Sequence, residues 1–153
     1  MNIAKKLIEA GIILPQIAKP LASYVPGLMA GDMVYISGQL PVKDGKIIYT
    51  GKLGQELSIE EGREASRLCA INCLAVLKSC LSEWDAFERI IKITGYIQCQ
   101  PDFYEQAQVL NGASDLLMQL FEEQGKHARA AIGVNALPLN AACEVEMIAK
   151  LKS

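Results

Sequence analysis

The stretch RAAIGVNALPLNAACEVEMIAKL, residues 129–151, decides how this chain folds. Its second half alternates cleanly. Cys143, Val145, Met147, Ala149 and Leu151 point one way, while Glu144, Glu146, Ile148 and Lys150 point the other. That is the period of a strand with one buried face. Residues 129–136 form a second apolar run, and Leu137-Pro138-Leu139-Asn140 separates the two. The expected arrangement is a hairpin. A turn centred between Pro138 and Leu139 sets Glu144 opposite Gly133 and puts Arg129, Ala131, Gly133 and Glu144 on one face.

Working outward, Ser58 followed by Glu61 is a capping box. It opens a helix that runs to about Leu81 with no Pro or Gly after Gly62. Residues 88–99 are Ile-rich and read as a strand. A second helix is expected from Pro101-Asp102, with Asp102 as cap. Phe103, Ala107, Leu110, Ser114, Leu117 and Phe121 share one stripe of it, and Gly125 marks its end. Upstream, residues 24–29 and 33–37 read as strands around an Ala30-Gly31-Asp32 turn, and residues 46–50 as a short edge strand. Residues 2–10 form a short amphipathic helix closed by Gly11, and Pro15 and Pro20 keep the following segment extended. The order predicts an α+β fold: one mixed sheet carrying two long helices on one face, plus the short N-terminal helix.

The chain has 153 residues, 51% of them hydrophobic and 21% charged. One domain, residues 1–153, is the expectation, with a core large enough to stand alone. The apolar share is high for a monomer and favours surface buried between subunits. Fifteen basic residues against 17 acidic ones leave a net charge of −2. No basic excess is available to neutralise phosphates, which argues against nucleic acid as a partner. No 18-residue apolar run exists to span a membrane. The N-terminus is too polar for a signal peptide, so a cytoplasmic protein is the default.

Five cysteines occur without a CxxC pair. Cys69, Cys73 and Cys80 fall on one helix stripe with Ala65 and Val76, and no His or carboxylate shares it. That reads as a small-residue packing face, not a metal site. No P-loop or GxGxxG is present, so no cofactor is expected. The candidate site is the Arg129 strand. A guanidinium grips a carboxylate bidentately. Glu144 can move protons or hold water. The same spacing also suits an ordinary salt bridge on a sheet face, or Arg129 paired with Glu146. His127, the only histidine, lies beside Lys126 and reads as exposed and idle.

Together these residues resemble a known family. Gly125-Lys126-His127-Ala128-Arg129-Ala130-Ala131-Ile132-Gly133-Val134, then Leu137-Pro138, then Glu144-Val145-Glu146, resemble the C-terminal signature of the reactive intermediate deaminase family (RidA, also called YjgF). Tyr24-Val25-Pro26 and Ser37-Gly38-Gln39-Leu40-Pro41 are similar to its N-terminal elements, and Asn111-Gly112-Ala113-Ser114-Asp115 to its second-helix motif. The N-terminal helix and the wording of these motifs are similar to a longer branch, often labelled endoribonuclease or chorismate-mutase-like. The resemblance implies a six-stranded sheet with two helices, in a homotrimer whose sheets form an inner barrel with three inter-subunit clefts. It implies hydrolysis of reactive enamines and imines, such as 2-aminoacrylate, to 2-oxo acids and ammonia, without metal or cofactor. Arg129 would bind the substrate carboxylate and Glu144 would position or activate water. Tyr24, Ser37, Gly38 and Asn111 would contact the ligand. Ala131 stands where deaminase members commonly carry cysteine, which leaves a binding or regulatory protein without turnover as the alternative and an endoribonuclease as a third reading.

Overall fold

A computed structural model describes residues 2–17 and 23–153. The expectation for Pro20 lies outside these residues. Three helices are described, α1 (Ile3–Glu9), α2 (Ile59–Ser79) and α3 (Gln106–Phe121). Seven strands accompany them: β1 (Gly27–Ala30), β2 (Met33–Gln39), β3 (Val42–Lys43), β4 (Lys46–Ile47), β5 (Phe87–Gln98), β6 (Ala128–Val134) and β7 (Cys143–Leu151). Five strands form one mixed sheet in the order β1-β2-β7-β5-β6. The expected sixth strand is a separate two-stranded ribbon, β3-β4, turned by Asp44 and Gly45, both at positive φ.

The α2 capping box is formed as its sequence requires. Ser58 Oγ accepts from the Glu61 N–H at 3.2 Å, and the Glu61 carboxylate accepts from the Ser58 N–H at 2.8 Å. The other expected cap is absent. Asp102 sits in a turn, and α3 begins at Gln106 with no side-chain cap. Phe103, buried beside the start of α3, belongs to the loop and not to the helix.

Both long helices lie on one face of the sheet, α2 against β2 and β7, α3 against β5 and β6. The core between them is apolar: Val34, Ile36, Ile90, Ile93, Ile97, Val145 and Met147 from the sheet meet Leu74, Leu77, Leu110, Leu117 and Phe121 from the helices. The cysteine stripe packs as expected. Cys73 Sγ lies 3.2 Å from the Val145 carbonyl, and Cys69 Sγ lies 3.5 Å from Cys143 Sγ, all buried. Among the described residues no cluster of His, Cys, Asp and Glu suits a metal, and no helix is long and apolar enough to cross a membrane. Helix α1 buries Ile3 and Leu7 but leaves Ile8 exposed. It packs on α3, where Lys6 Nζ meets Glu122 at 2.5 Å.

The terminal hairpin does not exist. β6 pairs in parallel with β5, and β5 stands between β6 and β7. Parallel neighbours need a crossover, and α3 supplies it. The segment from Asn135 to Ala142 is long enough to step across the end of β5. Gln98, buried at that end, holds the segment in place: its carbonyl accepts from the Leu137 N–H at 2.7 Å, and its amide donates to Asn140 at 2.7 Å and to the Gly51 carbonyl at 2.9 Å. Leu139 and Asn140 turn the chain with φ of 56° and 57°.

Candidate functional site

This topology separates the two charged residues that the hairpin reading placed together. Arg129 pairs with Ile93, whose other neighbour is the buried Met147, so Arg129, Ala131 and Gly133 share the helix-covered face. Glu144 pairs with Tyr96 and lies on the opposite face, with Glu146 beside Thr94. Arg129 and Glu144 are also two strands apart, about 10 Å across the sheet. They cannot form one depression within a chain. Of the floor of that expected depression, Ala131 is half-buried against the core and Gly133 is exposed, with Gln106 Nε2 of α3 2.9 Å from where a Cβ would stand.

Each charged residue has its own surroundings. Around Arg129, the edge strand β6 and helix α3 border a shallow, open surface pocket of about 460 Å³ lined by Asn111, Ser114, Met118, Lys126, His127 and Arg129. Arg129 Nη1 donates to Ser114 Oγ at 3.0 Å and Nη2 to the Ala107 carbonyl at 3.3 Å. Ala107 and Ser114, members of the expected stripe of this helix, are exposed and half-buried respectively. Among the described residues Arg129 forms no ion pair, so the salt-bridge reading of this strand does not hold. The lining contains no carboxylate.

His127 is not exposed. It is half-buried, with Nδ1 2.5 Å from the Gly125 carbonyl and Nε2 3.0 Å from Ser114 Oγ. A carbonyl only accepts, so Nδ1 carries the proton and Nε2 accepts from the Ser114 hydroxyl. Burial holds its pKa below the ordinary histidine value against the opposing pull of the Gly125 carbonyl, and the Arg129 charge lowers it further. The ring is therefore neutral at pH 7.

The second set lies on the open face. Ser23, Tyr24, Val25, Leu28, Tyr35, Ser37, Glu146 and Ile148 line another cavity of about 460 Å³. A bulge in β2 between Ile36 and Gln39 aims this segment. Ser37 Oγ donates to the Val25 carbonyl at 2.7 Å, tying the Tyr24 segment to the bulge. Gly38 leaves room for the Glu144 side chain: a Cβ there would lie 2.8 Å from the Glu144 carboxyl carbon. Burial pushes the Glu144 carboxyl above the usual glutamate value, and the neighbouring Glu146 pushes it further. The Tyr96 hydroxyl donates to Glu146 at 3.2 Å.

The structure thus gathers Arg129 with Asn111, Tyr24 with Ser37, and Gly38 with Glu144; the carboxylate that lines the Tyr24 pocket is Glu146, two residues along β7 from Glu144. Ala131 lies beneath α3, beside the first. Sequence reasoning missed Glu146 and Tyr96 as neighbours of Glu144. It also missed the Ser114–His127 contact, which joins a helix to a loop and leaves no local spacing signal.

Comparison with known proteins bears on the family and the fold. Residues 4–151 match the family model described as "YjgF/chorismate_mutase-like, putative endoribonuclease". The chain is 40% identical to Protein TCP17 of Trypanosoma cruzi, over 99% of this chain and 96% of that one. Its fold is similar to that of Atu1372 from Agrobacterium tumefaciens, with a TM-score of 0.91 and 39% identity, covering 99% and 92% of the two chains. It is also similar to E. coli TdcF, solved with bound serine, with a TM-score of 0.60 and 26% identity over 90% and 94%. The chain belongs to the YjgF/chorismate mutase-like family.

Proposed function

We propose that this protein hydrolyses small carboxylate-bearing enamines and imines to 2-oxo acids and ammonia, in clefts between neighbouring subunits of a homotrimer. One observation carries the reading: the Arg129 guanidinium faces a cavity with no carboxylate in its lining. An anion is the missing partner, and a planar carboxylate fits the guanidinium fork. Serine bound to TdcF is a small carboxylate of the right class.

The two cavities supply complementary halves. Arg129 lies on an edge strand, and Glu144 lies on the open face of the central strand β7. A second subunit docked between edge and face brings one chain's guanidinium to its neighbour's Glu144, Tyr24 and Ser37. Exposed Leu28, Tyr35 and Ile132 on the open face give that subunit apolar surface to cover.

In this cleft Arg129 holds the substrate carboxylate and orients the adjacent C=N carbon. Water adds to that carbon. Its oxygen forms the new C–O bond while the C=N π pair moves to nitrogen. Glu144, whose proton affinity is raised, takes a proton from the water and returns one to nitrogen. The hydroxyl of the carbinolamine then gives its proton, through Glu144, to the amine nitrogen; the C–N bond breaks with its electron pair leaving on ammonia, and the oxygen's pair forms the carbonyl. No electron is gained or lost. A 2-oxo acid binding protein without turnover is the second reading, favoured by Ala131 at the position of the family's usual thiol.

An amino-acid oxidase generating imine in the presence of semicarbazide tests the proposal. The wild-type protein is expected to divert imine to 2-oxo acid before it is trapped. Unchanged trapping across several imines, with 2-oxo acid binding retained, would establish the second reading instead.

A further inference from the structure

The position of Arg129 is controlled by groups that lie beyond it. Resting on the reading of this cavity as a carboxylate site, we propose that Ser114 and His127 are positioning residues that fix the Arg129 guanidinium for its ligand.

Three hydrogen bonds run in one direction. Arg129 Nη1–H donates to Ser114 Oγ at 3.0 Å, the Ser114 hydroxyl donates to His127 Nε2 at 3.0 Å, and His127 Nδ1–H donates to the Gly125 carbonyl at 2.5 Å. The order follows from the two ends. A guanidinium only donates and a carbonyl only accepts, so with a neutral imidazole between them the Ser114 hydroxyl must donate to His127 Nε2. A serine in mid-helix ordinarily turns its hydroxyl back onto a carbonyl one turn earlier. Here His127 takes the proton, and the Ser114 lone pairs are left facing Arg129. The Ala107 carbonyl holds Nη2 from the same helix. Both terminal nitrogens are therefore anchored on α3, while the guanidinium still borders the cavity.

The charged groups nearby do not compete for this role. Lys126 Nζ is held by Glu123 at 2.7 Å, and Arg89 of β5 donates to the Lys126 carbonyl at 3.2 Å. Asp115, next to Ser114, is turned to Arg63 at 3.0 Å. From α3 only uncharged Asn111, Ser114 and Met118 line the cavity. Gly125 is itself fixed, since a Cβ there would lie 2.8 Å from the Leu117 carbonyl carbon. The last acceptor in the chain therefore rests on the packed end of α3.

Pyruvate binding to the full-length protein, measured by calorimetry, tests the assignment through a double-mutant cycle. Ser114→Ala is expected to weaken pyruvate about tenfold or more, the order expected for one hydrogen bond to a charged group. Ser114→Thr, which keeps the hydroxyl, is expected to recover most of the loss. In an Arg129→Ala background, Ser114→Ala is expected to cost nothing further, because its effect passes through the arginine. His127 is the only histidine, so its ring gives one isolated set of NMR signals. Those signals are expected to show the Nδ1–H tautomer. Wild-type affinity in Ser114→Ala, or equal losses with and without Arg129, would overturn the positioning role while leaving the carboxylate site intact. The Nε2–H tautomer would overturn the relay by itself. Failure of pyruvate to bind wild type, or full binding by Arg129→Ala, would overturn the reading of the cavity on which the relay rests.

Discussion

The two helix–sheet seams are built from the same layers and end in different chemistry. Under α2, small residues close the gap to the central strand β7. Cys69 and Cys73 lie directly on Cys143 and the Val145 carbonyl, and burial pushes both thiols far above their ordinary pKa, so they stay protonated. Under α3, the sheet runs out at the edge strand β6. There the face carries Arg129, whose partners are a hydroxyl and a carbonyl and not a carboxylate. A seam in the middle of the sheet completes its own contacts; a seam at the edge leaves charge for something else to complete.

Arg129→Ala should have the largest effect on activity. It is expected to lower kcat/KM toward a carboxylate-bearing imine by about 100-fold or more, since it removes a charge-assisted pair. Because Arg129 is exposed, its melting temperature is expected to move by no more than about 2 °C. A large stability loss would show that the edge seam is structural like the central one.

The opposite pattern is expected where the helices meet. Gly112 of α3 lies against α2, and a Cβ there would lie 2.6 Å from Ser66 Oγ and collide with the Arg63 carbonyl. Gly112→Ala is expected to cost about 2–3 kcal/mol, seen in chemical denaturation, because the two helices must separate. Unchanged stability would mean that the helix pair is looser than its packing indicates.

Glu144→Gln sharpens the comparison with the smallest effect on stability. Its carboxyl is raised in the folded state, so the fold binds a proton there more readily than the unfolded chain. This contribution is full below the unfolded pKa and is lost as pH rises through the folded one. Removing the ionised group is therefore expected to raise the melting temperature at pH 7, by about 1–2 °C given its partial exposure to solvent. The gain is expected to vanish as pH falls below the ordinary glutamate range. A variant less stable than wild type at pH 7 would contradict the burial and repulsion assigned to Glu144.

Much of the fold was legible because it is written locally. Ser58 and Glu61 announce α2, the alternation from Cys143 to Leu151 announces β7, and the cysteine spacing announces the face that packs on it. The strand order was not legible. Four residues between two apolar runs signal a hairpin, and only the distant Gln98, bonded to Leu137 and Asn140, shows that the connection crosses a strand. The site suffered the same way. Arg129 and Glu144 were found by residue type and resemblance, but their faces depend on strand order. The exposed reading of His127 failed because its partner Ser114 is on another element.

Subunit complementation tests the central claim most directly. Arg129→Ala and Glu144→Gln proteins, each expected to be inactive in the semicarbazide assay, are unfolded, mixed in equal amounts and refolded together. If each site takes its arginine from one chain and its glutamate from a neighbour, random assembly restores about a quarter of the wild-type activity. Mixed assemblies that form but remain inactive would contradict a site shared between subunits.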